Sequence, residues 1–375
     1  MPHSYFYVAF VCGAGATWLS MVFARRHGFI SRPNPIVSQH TTAVAYLGGV
    51  GILLGAAATF GLFLLLERAG FQPSAASVRP PLPYAVGAVL FLTLGVFDDL
   101  LRLNAATKFL LQLLATLLVL QTGLAGSFTG VRAADAALSG LLILTLVNAV
   151  NFTDVCDGLV GGLAVVMLPF LARGDADGFA VALVFAGACA GFLVFNLPPA
   201  KTFLGDAGSH LLGFLMAAEV LSGSTRGTPW PYIPAALLSS GVPLMELTFI
   251  TAVRVRKGLP WWRGSPDHFS LRLQARGLSR LQTDFVAWTT AAACCAAGWA
   301  LPLVSRAGQL LILGGALSFF AAAWRALLRW EVAPRGAVAQ APPPSGELSG
   351  ERILRHQRGR PLTVPGAEPS DAGVD

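Results

Sequence analysis

The chain has 375 residues, a formal net charge of +7 at pH 7, 54% hydrophobic and 12% charged residues, and a mean hydropathy of +0.64. A soluble domain carries about 25% charged residues, so half that level spread over many apolar runs excludes an ordinary soluble enzyme and marks an all-α polytopic membrane protein. The positive charge invites a nucleic-acid reading, but no soluble basic domain exists to carry one, and basic loops follow from membrane topology.

In chain order, the first apolar segment, Tyr5 to Phe23, has no Lys or Arg before it and ends in Arg25-Arg26. A cleaved signal has the opposite polarity, so the first span is expected to be retained with its N-terminus outside. Eleven candidate spans follow, at about 5–24, 47–66, 82–97, 109–122, 137–151, 158–173, 179–196, 208–222, 231–253, 285–304 and 308–329. In this arrangement 19 of the 26 Lys and Arg residues fall on the inside, seven of them between Arg254 and Arg280, which is the positive-inside pattern. Two units are expected: a membrane domain over 1–330 and a polar tail over 331–375. The tail contains Ala341-Pro-Pro-Pro-Ser345 and then mixed charge, and reads as disordered. The five cysteines (Cys12, Cys156, Cys189, Cys294, Cys295) form no CxxC pair, which points to neither a zinc site nor a disulfide framework.

The acids Asp98, Asp99, Asp154, Asp157, Asp206 and Asp267 all fall on that same inside face. Most sit at span ends, where a charge costs less than at the bilayer centre. Asp98-Asp99 closes the third span. Adjacent helical residues point about 100° apart, so one carboxylate can meet a metal and the other a substrate group. Lys108 opens the fourth span, with Gln112 one turn further on. A Lys at that depth suits a lipid phosphate, and snorkelling is the competing reading.

Asn148, Asn151, Asp154 and Asp157 recur every three residues, so on a helix neighbouring pairs share a face. Oxygen-only ligands of this kind suit Mg²⁺ or Mn²⁺; helix capping would explain one such residue. In Phe203-Leu204-Gly205-Asp206-Ala207-Gly208-Ser209, the glycines permit tight turns and the following helix N-terminus offers donors to a phosphate. Asp206 is the metal-ligand candidate there, and Phe203 can stack on a base. In the basic loop, topology accounts for most of the charge. Asp267-His268-Phe269-Ser270-Leu271-Arg272 is denser in functional types and reads as facing a donor. Glu246 lies within the ninth span, where an acid is functional by default or paired with a basic neighbour.

Taken together, these motifs resemble the polyprenyl-phosphate N-acetylhexosamine-1-phosphate transferases of glycosyltransferase family 4. That family carries a DD pair followed by K and Q, an NxxNxxDGxDG run and F-x-GDxGS. Asp98-Asp99, Lys108, Gln112, Asn148, Asn151, Asp154, Asp157-Gly158 and Phe203 to Ser209 match them here. His40 with Gly48-Gly49 is similar to the family's H…P-x-x-GG entry, and Gly241-Val242-Pro243-Leu244-Met245-Glu246 to its GVPxxD segment. The resemblance covers about residues 32–285.

It implies transfer of a sugar-1-phosphate, such as GlcNAc-1-phosphate, from a UDP-sugar to polyprenyl (undecaprenyl) phosphate with release of UMP. The implied setting is the cytoplasmic face of a bacterial inner membrane, with Mg²⁺ as cofactor and a homodimer compatible with the glycine-bearing helix faces. The implied catalytic residues are Asp98, Asp99 and Lys108. Asp206 and Asn151 would bind metal. Asp154, Asp157, Phe203, His268 and Arg272 would bind nucleotide or sugar.

Four positions depart from the family pattern. Val155 stands for the first DG glycine, Ala45 for the proline before GG, and Glu246 for the Asp of GVPxxD. Asp267-His268-Phe269-Ser270 stands where the family has HxHH. These departures leave the UDP-MurNAc-pentapeptide branch of the family as the alternative donor class. Outside the family, an ion-coupled transporter would place its acids near the midplane between repeats, whereas here they gather at one surface. A non-catalytic scaffold leaves the ordered motif set unexplained.

Overall fold

A computed structural model of the chain describes residues 3–31, 43–71, 79–172, 176–225 and 229–330. His40 and the expected tail over 331–375 lie outside the described residues.

Helices α1 (His3–His27), α2 (Gly48–Arg68), α3 (Leu82–Leu101), α4 (Ala105–Gln121), α5 (Arg132–Thr153), α6 (Leu159–Leu171), α7 (Ala176–Asn196) and α8 (Gly205–Ser224) form the first part of the bundle. Helices α9 (Pro229–Ser239), α10 (Gly241–Arg256), α11 (Phe269–Ala275), α12 (Arg280–Ala300) and α13 (Arg306–Arg329) complete it. α8 is the central helix. It packs against α3 and α5, and every residue from Ala207 to Leu221 is buried. A helix apolar all round belongs inside a bundle. α13 lies at the periphery with Leu310, Leu311 and Leu317 exposed, as suits a lipid-facing helix.

Seven helices are long and apolar enough to cross a membrane, and an eighth span results if the bent pair α9–α10 is counted as one. The protein is an integral membrane protein. The eleven expected spans fall on helices, but α4 and α6 are short apolar helices and α8 is not among the seven, so the count of eleven is not reached. The span read over 231–253 is broken at Ser240, with a 68° bend between its halves. Pro243 has no N–H to give the Ser239 carbonyl, so the helix cannot run straight through this turn.

Local sequence sets the helix ends. The Asn104 side chain accepts from Thr107 N at 2.9 Å and starts α4. Ser279 and Gln282 form a reciprocal capping box at the start of α12. Three short strands, unforeseen in the sequence, stitch the loops at one end of the bundle: β1 (Ile30–Ser31), β2 (Val44–Tyr46) and β3 (Thr202–Phe203). β1 pairs antiparallel with β2. β2 pairs parallel with β3, setting Tyr46 opposite Phe203.

Candidate active site

The ends of α3 and α5, the start of α4, the turn before α6 and the β3–α8 junction open onto one cavity of about 1110 Å³. Asp98, Asp99, Lys108, Asn151, Asp154, Asp157, Phe203 and Asp206 all line it. Four motifs that are far apart in sequence therefore meet at one end of the bundle.

Lys108 is the hub. Its Nζ lies 2.6 Å from Asp98 Oδ2 and 3.2 Å from Asp206 Oδ2, and it donates to Asn151 Oδ1 at 3.1 Å. A snorkelling lysine would extend toward water; this one turns inward to two carboxylates. Asn151 Nδ2 donates to Asp206 Oδ1 at 2.6 Å and to Ser209 Oγ at 2.9 Å. Behind them, Gln112 Nε2 lies 2.9 Å from His210 Nε2, and His210 Nδ1 lies 2.6 Å from the Asp206 carbonyl. A carbonyl only accepts, so Nδ1 carries the proton and Nε2 accepts from Gln112. Asn148 Nδ2 donates to Gln112 Oε1 at 2.9 Å and completes the layer.

Asp99 holds the start of α8. Its carboxylate accepts the backbone N–H groups of Asp206 at 3.0 Å and Ala207 at 3.1 Å. An acid placed on a helix N-terminus satisfies orphan donors and complements the dipole. Gly205 is required at this junction. Its φ is +75°, and a Cβ there would come within 2.7 Å of Asp99 Oδ2.

Asp157 is clamped differently. Its Oδ2 accepts from Arg280 Nη1 at 2.8 Å and from Ala200 N at 3.2 Å. The next residue, Gly158, is left-handed with φ +81°, and its N–H donates to Asn196 Oδ1 at 2.8 Å. Asn196 in turn donates to the Thr202 carbonyl at 2.8 Å, tying this turn to the strand that carries Phe203. Cys156 also lines the cavity. Burial pushes its thiol up to about 12, so it is not a thiolate nucleophile at neutral pH.

The Asp154 carboxyl makes no hydrogen bond among the described residues, while its backbone N–H donates to the Val150 carbonyl at 3.1 Å. Burial, then the nearby Asp206, Asp99 and Asp157 carboxylates, hold its carboxyl well above the ordinary range. Five carboxylates face three cations around the cavity: Arg102, Lys108 and Arg280. This oxygen-rich, electron-rich donor set suits a hard divalent ion. Among the described residues no three Asp, Glu, His or Cys side chains group closely enough to cage an ion alone. Mg²⁺ does not need such a cage, because it keeps several waters and binds through one or two carboxylates plus substrate phosphates. Asn151, expected as a ligand beside Asp206, turns its nitrogen to Asp206 and its oxygen to Lys108. In this arrangement its amide braces Asp206.

A family model described as glycosyl transferase family 4 matches residues 82–224, the stretch from α3 through α8 that supplies most of this cavity. A Mycobacterium tuberculosis protein named "Decaprenyl-phosphate N-acetylglucosaminephosphotransferase" is 34% identical over 304 residues, covering 70% of this chain and 73% of that one. The chain belongs to glycosyl transferase family 4. A Bacillus subtilis member named "Probable undecaprenyl-phosphate N-acetylglucosaminyl 1-phosphate transferase" is 32% identical over 215 residues. That match spans 54% of this chain and 60% of the relative. A Geobacillus kaustophilus "Phospho-N-acetylmuramoyl-pentapeptide-transferase" is 32% identical over 239 residues, covering 56% and 72% of the two chains.

Two residues expected at the substrate of this transferase-family member are placed elsewhere. His268 and Arg272 do not line the cavity. His268 Nδ1 is 2.6 Å from Glu246 Oε1, and both side chains are buried. Glu246 Oε2 also accepts from Phe269 N at 3.2 Å. Arg272, only 1% exposed, pairs with Asp267 at 2.8 Å. It also donates to the carbonyls of Leu327 and Trp330. Buried charges must be paired and hydrogen-bonded, and these pairs fix the loop after α10. Glu246 is thus the paired intramembrane acid.

In their place, Trp261 and Trp262 of the same loop reach the cavity rim. They are held there by Arg254, which donates to the Trp261 carbonyl at 2.8 Å and stacks 5.1 Å over Phe152. Tyr46, Arg102, Trp261 and Trp262 line the cavity without having carried a sequence signal. Arg280 carries no sequence signal beyond that of loop charge. His210 stands four residues after Asp206, one helical turn away, and that spacing was the available clue.

Proposed function

We propose that the protein transfers a sugar-1-phosphate, with GlcNAc-1-phosphate as the favoured group, from a UDP-sugar to polyprenyl phosphate and releases UMP. The observation that carries this reading is the convergence of Asp98, Lys108, Asn151 and Asp206 on one cavity at the bundle's end. The relatives named above act, by their names, on undecaprenyl or decaprenyl phosphate and N-acetylglucosamine phosphate. The basic loops on the same side favour the cytoplasmic face of an inner membrane.

In this reaction an oxygen of the acceptor phosphate attacks the sugar-bearing phosphorus, and the P–O bond to UMP breaks. A phosphate monoester has a second pKa of about 6, so the acceptor is already largely dianionic at pH 7 and needs little base catalysis. The difficulty lies in bringing two anions together at a membrane surface. Lys108 is placed to meet an incoming phosphate because it lines the cavity between Asp98 and Asp206, and a phosphate oxygen would compete with those carboxylates for its ammonium. Asp98, anchored through Oδ1 by Leu103 N at 3.0 Å, keeps Lys108 charged and aimed. Asp99 acts one step back by fixing the α8 N-terminus. Phe203 offers a face for uracil, with Asp157 and Asn196 beside it as polar partners.

Asp206, with Asp154 lining the same cavity, would hold Mg²⁺. When bound, that ion offsets charge on the diphosphate as UMP leaves.

The test is UMP release by purified full-length protein with polyprenyl phosphate, UDP-GlcNAc and Mg²⁺. Lipid-dependent release supports the reading. Release with UDP-MurNAc-pentapeptide and not UDP-GlcNAc would move the protein to the other donor class.

A further inference from the structure

Arg102 stands out on the cavity wall. It is the residue that ends α3, with φ 50° and ψ 64°. That left-handed conformation is one that glycine or asparagine adopts readily and a long side chain does not. The conformation has a local use. It sends the Arg102 N–H to the Asp98 carbonyl at 2.8 Å and the Leu103 N–H to Asp98 Oδ1 at 3.0 Å. A glycine would serve both bonds without strain. The guanidinium is therefore not explained by the turn it sits on, and strain retained at a cavity points to function.

The charge arrangement indicates what that function is. Of the three cations lining the cavity, Lys108 is bound to Asp98 and Asp206, and Arg280 to Asp157. Arg102 is exposed and makes no ion pair or hydrogen bond through its side chain among the described residues. Tyr46 lines the same cavity, in register with Phe203 across the β2–β3 pair. Burial and then Asp99 push the Tyr46 hydroxyl up, and Arg102 pulls it down, so the phenol and the guanidinium feel one another. A planar five-donor guanidinium beside a phenol hydroxyl suits the oxygens of a phosphate.

We propose that Arg102, with Tyr46 beside it, forms a phosphate subsite of the cavity, distinct from the Lys108 centre. It takes either the diphosphate of the nucleotide donor or the monoester phosphate of the lipid acceptor. This inference rests on the transferase reading for its kinetic arm, and on binding alone for its second arm.

The decisive variants are Arg102→Gly, which keeps the left-handed turn and removes the charge, and Arg102→Lys, which keeps a charge without the fork. Each is compared with the unaltered full chain by KM for UDP-GlcNAc and for polyprenyl phosphate, and by calorimetric titration with UMP. Loss of a charge-assisted hydrogen bond predicts a rise of about ten- to hundredfold in one KM for Arg102→Gly. The accompanying kcat should change little, and Arg102→Lys should recover part of the loss. A raised donor KM with weakened UMP binding assigns the subsite to the nucleotide phosphates. A raised acceptor KM with unchanged UMP binding assigns it to the lipid phosphate. Unchanged KM for both substrates and unchanged UMP affinity in Arg102→Gly would overturn the proposal. If the unaltered protein turns over neither donor, the transferase reading fails on its own. Titrations with UMP and with polyprenyl phosphate then decide the subsite: weaker binding of either one in Arg102→Gly keeps it, and equal binding of both ends it.

Discussion

Asp99 holds Asp206 by the backbone: its carboxylate accepts the Asp206 N–H at 3.0 Å and the Ala207 N–H at 3.1 Å. The two adjacent acids at the end of α3 therefore do different work. Asp98 faces Lys108, while Asp99 fixes the helix start from which Asp206 projects. Asp99→Asn replaces one accepting oxygen with a donor that opposes an N–H. We expect a loss of about 1–3 kcal/mol in stability and a fall in turnover with it. A thermal melt in detergent alongside the activity assay checks this. An Asp99→Asn protein with an unchanged melting point would show that the backbone contacts carry no weight.

Asp206 is the acid on which the chemistry depends most. Asp206→Asn keeps the side chain's size and its neighbours' packing but removes the charge that meets Lys108 and would meet Mg²⁺. Turnover should fall by about 10²-fold or more, the scale of losing one transition-state electrostatic contact, with expression in the membrane unchanged. Activity within a few fold of the unaltered protein would take Asp206 out of the metal role.

Lys108 compensates a buried carboxylate as well as serving the substrate. Removing one member of a buried pair leaves the other uncompensated, at about 3–5 kcal/mol. Lys108→Ala should therefore lose both stability and turnover. Adding Asp98→Asn should restore much of the stability, and turnover should stay low. If the double variant regained turnover, Lys108 would be structural only.

The environment of Asp154 gives a pH prediction with a definite sign. Its carboxyl is held above the ordinary range by burial, Asp206, Asp99 and Asp157. The folded state therefore binds the Asp154 proton more tightly than the unfolded state. Stability from this group is present below the ordinary carboxylate pKa of about 3.9 and is lost as pH rises through the folded value. In metal-free protein, Asp154→Asn should raise the melting point at neutral and alkaline pH, with the gain shrinking toward acid. A pH series of melts in EDTA measures it. A gain that is independent of pH would remove the electrostatic explanation.

His268 tests how far the sequence could be read. As a residue of the expected donor loop it should affect KM for the UDP-sugar. As a buried partner of Glu246 at 2.6 Å it should affect the fold. We expect His268→Gln to lower the melting point by several degrees and leave the donor KM within about twofold, consistent with a lost buried hydrogen bond of about 1–3 kcal/mol. A large donor KM effect at unchanged stability would return His268 to the site.

These cases show what the sequence carries and what it does not. Asp98, Asp99, Lys108, Asn151 and Asp206 were legible because polar groups at span ends are costly and therefore informative. The spans themselves were legible as helices from apolar length. The direction in which a side chain points was not. His268 and Arg272 sit in a charged loop and would read the same whether they faced water or turned inward to Glu246 and Asp267. β1, β2 and β3 have two or three residues each, too short for any period to register. The break at Ser240 was available in Pro243 but masked by the apolar run around it. Arg102 gave no signal because its left-handed conformation is set by Asp98 and Leu103 rather than by its own residue type.

The central claim is that this cavity joins a nucleotide donor to a lipid phosphate with the help of a divalent ion. The most direct measurement is release of labelled UMP from UDP-GlcNAc by the purified full chain, with and without polyprenyl phosphate, and with EDTA followed by Mg²⁺. The account predicts release that needs the lipid, stops with EDTA and returns with Mg²⁺. Folded protein that releases no UMP from UDP-GlcNAc or UDP-MurNAc-pentapeptide, or releases it at the same rate in EDTA, would contradict it.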